Sequence, residues 1–576
     1  MFICNNARRE RKMYRVFILV LLLVCTAAHA QVSPSAPKSS EEPTTGAISG
    51  QVVNESGQPV AGASLFVRTV NSGFAARATA TDAEGNFHVN GLEPALYIVS
   101  ANAPTYTFTF ETTTPPTYYR IGDSVRLELI RGGVITGTVT NALGDPVIAV
   151  NVRAQMVRTA KGETPKGPTL FRQDETDDRG VYRMYGLPPG TYLVSAGSSG
   201  FSSSFSPYDL DIPTYAPSSP RDNAAEITVR SGEESSADIR YRGEPGHTIS
   251  GTVKLAGTGG ASVTLLPANG SVMTGGNTFQ SPNSRGFAFN GISDGDYDLV
   301  AQEVIASPTA TVPLISLSEP RRVTVKGANV SGLELSTRPL SLLNGRILLE
   351  SLKVPECQGK HPPLLAETWV RVQRHEKDVE KDQATYQRTF PSTTSPDRNG
   401  EFVLRNLLAG RYQFEPRFYA RYWYLRSITL GGATAKFPKV DAAANWTAVK
   451  SGEQLSNLTI TLAEGAASIR GRLAVADPRA GRSVYLIPAE PDKADDVLRY
   501  FVADIAADGA FAFNNLPPGR YWALAQSTDP PTATLAKLRQ PEAATARLKL
   551  RRTPEVQKSE IQLKPCQNLT DYQLNK

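Results

Sequence analysis

Five times along the chain, apolar side chains alternate with small or polar ones around a central glycine. The copies are Ile48-Ser49-Gly50-Gln51-Val52, Ile135-Thr136-Gly137-Thr138-Val139, Ile249-Ser250-Gly251-Thr252-Val253, Leu343-Asn344-Gly345-Arg346-Ile347 and Ile469-Arg470-Gly471-Arg472-Leu473. Alternation at period two predicts a strand with one buried face. The central glycine predicts a bulge or a close backbone approach. Further signals follow each copy in a fixed order. Gly57-Gln58-Pro59-Val60 and Gly144-Asp145-Pro146-Val147 mark a first turn. Asp82-Ala83-Glu84-Gly85, Asp178-Arg179-Gly180, Asp397-Arg398-Asn399-Gly400 and Asp508-Gly509 mark a second, with Asp capping the turn and Gly taking positive φ. An aromatic-led strand comes next (Phe87, Tyr182, Phe287, Phe402, Phe511). A tight turn such as Leu187-Pro188-Pro189-Gly190 then leads to Tyr97, Tyr192, Tyr297, Tyr412 or Tyr521. Two copies depart from the pattern: Ala95 replaces the turn glycine, and Arg285 stands where the others place Gly.

The tyrosines recur about every 95 to 115 residues, the length of one small antiparallel sandwich. The expected fold class is therefore all-β, a tandem array of five seven-stranded antiparallel β-sandwich domains. The expected boundaries are 46–130, 131–242, 246–337, 339–464 and 466–565, with a C-terminal tail at 566–576. Each unit is long enough to bury its own core, so beads on a string are expected and not one continuous stack. Helical signals are nearly absent. Trp369 to Val372 reads as strand, Glu376-Lys377-Asp378 as an exposed loop or turn, and Gly197 to Ser219 as a loop.

The N-terminus changes the picture of compartment. Arg8, Arg9, Arg11, Lys12 and Arg15 precede an apolar run from Val16 to Thr26, and Ala28-His29-Ala30 follows. That order predicts a signal peptide at 1–30, cleaved between Ala30 and Gln31, and a Ser/Pro/Glu-rich flexible leader at 31–45. Met13 also suffices as a start, and lipid attachment at Cys25 is disfavoured by Val24. Of the formal charge of +6, residues 1–30 carry +4, which leaves about +2 and removes any argument for nucleic acid. No later apolar run is long enough for a membrane helix. The predicted localisation is secreted, periplasmic or cell-surface. Cys357 and Cys566 then remain, and in an oxidising compartment they either pair or stand as independent thiols.

Taken together, Ile-x-Gly-x-Val, Gly-x-Pro-Val-x-Gly-Ala (Gly57 to Ala63), Thr-Asp-x-x-Gly-x-Phe (Thr81 to Phe87) and Leu-Pro-Pro-Gly-x-Tyr resemble the carboxypeptidase regulatory-like domain. The resemblance is strongest in the first two copies, fair in the fifth and weaker in the third and fourth. It implies a transthyretin-like (prealbumin-like, Ig-like) sandwich, close to collagen-adhesin B-type repeats and starch-binding-domain-like sandwiches. Such domains accompany metallocarboxypeptidases, outer-membrane receptors and adhesins without being catalytic, and fold alone does not assign a role.

The search for chemistry is negative. Zinc peptidase chemistry needs two His and a carboxylate converging on one ion. Here His88, His247, His361 and His375 are scattered, and His375-Glu376 lacks a second His at helical spacing. Gly122-Asp123-Ser124 is better read as a turn than as a nucleophile motif. No metal, cofactor or catalytic residue is expected. The compositional outlier is Phe414 to Leu425, where Arg421, Tyr422, Trp423 and Tyr424 present aromatic faces beside a cationic arm, the residue types of sugar- or protein-binding surfaces. The bland alternative is that these rings fill the fourth sandwich and pack on a neighbour. The sequence thus points to an exported, non-enzymatic protein that binds a polysaccharide or a surface protein. The alternatives are a structural spacer for surface proteins and, remotely, an accessory module of a metallocarboxypeptidase.

Overall fold

The computed structural model describes residues 45–574 except 71–76, 108–116, 166–170, 198–205, 269–275, 280–285, 306–311, 353, 358–360, 383–392, 432–438, 474–481, 528–534 and 555–556. The expected signal segment, with its Ala30/Gln31 cleavage site, and Arg285 lie outside the described residues.

The first copy sets the plan. Its strands are β1 (Gly46–Asn54), β2 (Ser64–Thr69), β3 (Arg77–Ala80), β4 (Asn86–Leu92), β5 (Tyr97–Asn102), β6 (Tyr106–Thr107) and β7 (Ser124–Arg131). They form two sheets, ordered β4-β1-β7-β6 and β3-β2-β5. Alternate side chains from both sheets meet in one cluster that includes Ile48, Val52, Leu65, Phe87, Tyr97 and Val125. Four more clusters of the same make-up follow along the chain. The third copy varies the plan. Leu314–Ser318 pairs with Gly295–Ile305 of one sheet and with Val330–Pro339 of the other, joining the two into one eight-stranded sheet.

The fold is all-β, but no copy is wholly antiparallel. β1 pairs antiparallel with β4 and parallel with β7. The opening strands of the other copies, Gly133–Thr140, His247–Lys254, Ser341–Glu350 and Ala467–Leu473, each make the same parallel ladder with a closing strand. A strand that returns by crossing from the opposite sheet arrives in the direction of the strand it joins. In the fifth copy the strands differ from the expected tail at 566–576. Ile561 and Leu563 lie on Ser559–Leu563, which pairs with Gly519–Ser527. The closing strand is Asn568–Leu574, within the stretch expected to be a tail.

The central glycine is explained by what lies on either side of it. Gly50, Gly137, Gly251, Gly345 and Gly471 stand opposite Phe87, Tyr182, Phe287, Phe402 and Phe511 in the antiparallel register. A Cβ on Gly50 would sit 1.9 Å from the Val125 carbonyl oxygen and 2.9 Å from the Phe87 ring. On Gly471 it would sit 2.5 Å from the Tyr572 carbonyl and 2.7 Å from the Phe511 ring. The missing side chain lets an aromatic ring lie over the backbone from one side while the closing strand presses in from the other.

The repeated tyrosine is a second fixed point. Tyr97, Tyr192, Tyr297, Tyr412 and Tyr521 each donate their hydroxyl to the carbonyl four residues upstream, at 2.7 to 3.0 Å. This is the tyrosine corner of sandwich folds, with the ring in the core and the hydroxyl tying down the preceding turn. Burial pushes the Tyr97, Tyr192, Tyr297 and Tyr521 phenols above their ordinary range.

Two helical regions escape the strand pattern. Glu376–Lys381 is a short helix capped by His375, where a loop or turn was expected. Leu535–Arg539 and Ala544–Arg552 bring Leu538 and Leu550 onto the outer face of the fifth copy's sheet, against Tyr485, Ile487, Tyr500 and Leu524. The signal was the unbroken apolar run Val484-Tyr485-Leu486-Ile487, since a strand covered on both faces does not alternate. Among the described residues, no helix is long and apolar enough to cross a membrane.

Gly251→Ala would place a Cβ 2.2 Å from the Leu333 carbonyl oxygen, which is backbone and cannot swing away. The expected cost is about 1–3 kcal/mol. Hydrogen exchange should report it as faster exchange confined to His247–Lys254 and its two partner strands.

Candidate functional site: the joints between sandwiches

Where one sandwich meets the next, the same arrangement recurs. The N–H of the residue just before the new opening region donates to the segment following the fifth strand of the previous copy. The pairs are Gly132 to Thr105, Gly246 to Leu210, Leu340 to Ile315 and Ala466 to Tyr422, at 2.8 to 3.1 Å. The same segment faces a residue in the left-handed region at the end of the aromatic-led strand, namely Gly186, Gly291, Asn406 and Asn515. At Gly291 a Cβ would meet the Asp211 carbonyl at 2.4 Å. Where the position is Asn, the side chain becomes a hook. Asn406 accepts from the Ile315 N–H at 2.9 Å and donates to the Pro313 carbonyl at 3.2 Å. Asn515 donates to the Ala420 and Trp423 carbonyls at 2.6 and 2.7 Å.

These joints correct the expectation of beads on a string, because Thr45–Lys576 form one compact unit. The reason is chain length. Only Gly132 separates Arg131 from Gly133, only Leu340 separates Pro339 from Ser341, and two residues separate Glu464 from Ala467. Linkers this short keep neighbouring copies side by side.

The aromatic stretch of the fourth copy is consumed by such a joint. Trp423 is 3% exposed and belongs to the fourth core, so its ring face is not offered to a sugar. The Tyr422 hydroxyl accepts from Asn568 of the fifth copy at 3.1 Å, and its carbonyl receives the linker N–H groups. Tyr424 is half-buried, and burial raises its phenol above the ordinary range, with Arg499 of the fifth copy among the charges that oppose the rise. Of the four residues expected to form a binding face, only Arg421 is exposed. The neighbour-packing reading describes the geometry better.

A contact between the first and fourth copies is built differently. The Arg120 guanidinium lies 4.3 Å above the Tyr419 ring and 3.5 Å from the Glu367 carboxylate, with Asp123 at 3.7 Å. Tyr118 meets Trp369 edge to face at 5.3 Å. Burial pushes Glu367 above the usual carboxylate range, with Arg120 pulling the other way. Aromatic pairs contribute about 0.5–1.5 kcal/mol, exposed cation–π contacts about 0.5–1 and partly exposed ion pairs about 0–1. The whole contact amounts to a few kcal/mol.

Two further features join the fourth and fifth copies. Cys357 and Cys566 are bonded as a disulfide, with Cα atoms 5.5 Å apart. Glu542 of the helical region accepts from the Trp446 indole N–H at 2.9 Å and lies 3.4 Å from His375 Nε2. His375 is thus part of a joint. His88 and His361 are exposed on separate copies, and His247 pairs with Asp294 at 3.2 Å. No group of three or more metal-ligating side chains occurs among the described residues. In Gly122-Asp123-Ser124, Asp123 accepts from the Arg120 N–H at 2.7 Å, as a turn residue does. One buried charge had no sequence signal. Glu303, fully buried, accepts from the Ala256 and Gly257 N–H groups and the Thr337 hydroxyl at 2.9 to 3.0 Å.

With two-sheet sandwiches, a tyrosine corner in each and no assembled reactive centre among the described residues, the class is a tandem β-sandwich protein. Residues 47–120 and 134–242, in the first two copies, match the carboxypeptidase regulatory-like domain family. No well-characterised protein matches the sequence significantly. Among solved structures, the chain is similar to the TIE protein of Bacillus anthracis, at 14% identity over 51% of this chain and 51% of that one, with a TM-score of 0.14. It therefore spans about half the length of that protein. It is similar to BcpA, the major pilin subunit of Bacillus cereus, at 12% identity over 51% of this chain and 99% of that one, with a TM-score of 0.14. It is also similar to two B repeat units of the collagen binding protein of Staphylococcus aureus, at 11% identity over 73% and 100%, with a TM-score of 0.13.

Asn515→Ala should leave the Ala420 and Trp423 carbonyls without their donor at a cost of about 1–3 kcal/mol. Limited proteolysis should then cut first between the fourth and fifth copies. Replacing both Cys357 and Cys566 by Ser should lower the stability of the same pair by about 2–4 kcal/mol. In a thermal-shift assay the variant should match the reduced natural chain.

Proposed function

We propose that this is an exported, non-catalytic scaffold, a body of linked β-sandwiches that presents its exposed loops to another component of the cell surface. One observation carries the reading. The side chains singled out in the sequence are occupied within the fold: Trp423 fills the fourth core, and Tyr422 and His375 hold the fourth copy to the fifth. What remains exposed is turn and loop chemistry that differs between copies, and loops on a rigid framework are where binding functions concentrate. Export is inferred from the basic-apolar-small order of residues 1–30, and a disulfide suits an oxidising compartment. The partner is a surface protein or a polysaccharide.

Purified mature chain should carry no stoichiometric zinc and release no C-terminal residue from peptide substrates. Zinc at one equivalent together with turnover would overturn the scaffold reading. On a glycan array, Arg421→Ala combined with Tyr422→Ala should leave any bound glycan in place. Loss of binding with an unchanged melting profile would return the ligand site to the aromatic stretch.

A further inference from the structure

We propose that the contact between the first and fourth sandwiches is an electrostatic clasp, so that the chain exchanges between a closed body and an opened array. The inference stands on geometry alone and does not depend on the identity of any surface partner.

The four sequential joints and this contact differ in kind. Each sequential joint is tethered by a linker of one to six residues and carries a backbone hydrogen bond across it. The last of them is also covalent. Such tethers hold the partners at high effective concentration, so a joint that breaks re-forms at once. The clasp instead joins residues 247 positions apart. Its closure rests on side chains at a rim, where Arg120 and Asp123 each keep a third of their side-chain surface exposed. Arg120 serves Glu367, Asp123 and the Tyr419 ring together, and its Nε has no hydrogen-bond partner among the described residues. Arg371 and Arg417 of the fourth copy both pair with Glu415, at 3.5 and 2.7 Å, which leaves Arg120 and Glu367 as the charge pair that crosses the contact. The Arg120–Glu367 pair is partly exposed, and salt screens it. Opening would uncover Tyr118 and the face of Trp369 that it covers, and would lengthen the scaffold without unfolding any sandwich.

Small-angle scattering on the mature full-length chain tests this. At low ionic strength the natural chain should give a radius of gyration near about 24 Å, as for a compact chain of its length. The Arg120→Ala/Tyr118→Ala variant, and the natural chain in 1 M NaCl, should give a value roughly one and a half times larger. Circular dichroism should stay unchanged in both. A natural chain already extended at low salt would overturn the closed form. A folded variant as compact as the natural chain would overturn the role of the clasp. If the variant fails to fold, the salt series on the natural chain decides alone, and an unchanged radius up to 1 M NaCl counts against the proposal.

Discussion

Each sandwich depends on one crowded crossing. The opening strand must accept an aromatic ring over its backbone and a parallel closing strand beside it, and only a residue without a side chain permits both. Gly50, Gly137, Gly251, Gly345 and Gly471 occupy that crossing. The ring supplies apolar burial that the glycine cannot, and the close approach sets the register of the two ladders. The tyrosine corner then fixes the turn feeding the opposite sheet, so the two sheets are pinned at separate points of one core.

Much of this was legible because its causes are local. Alternation, turn residues and the spacing of the tyrosines sit within a few positions of one another, and each copy repeats them. The parallel ladder was not legible, because strands such as Ala467–Leu473 and Asn568–Leu574 meet across about a hundred residues and no period records their direction. The same limit hid the clasp at Arg120 and the buried carboxylate of Glu303. The aromatic stretch at 418–424 was visible as an outlier, but composition does not say whether a ring faces solvent or a neighbouring sandwich. Burial of Trp423 answers that. The helices over Tyr485 and Ile487 did leave a trace, four consecutive apolar positions from Val484 to Ile487 where an alternating strand would have two.

The joints show how repetition and difference divide the labour. The position taken by Gly186 and Gly291 in two copies becomes Asn406 and Asn515 in the next two, and both types adopt the left-handed backbone. Glycine admits the preceding segment by having no side chain, while asparagine holds it by adding hydrogen bonds. The joint geometry is kept, and its strength is adjusted copy by copy.

The disulfide has a mechanical meaning. Tension applied between the two ends of the chain would travel from the third sandwich along Ser341–Glu350 to Cys357, cross the covalent bond to Cys566 and leave through Asn568–Leu574. Everything between residues 358 and 565 hangs outside that path as a bypassed loop. Most of the fourth sandwich and nearly all of the fifth are therefore spared the pull, which falls on the opening strand of the one and the closing strand of the other.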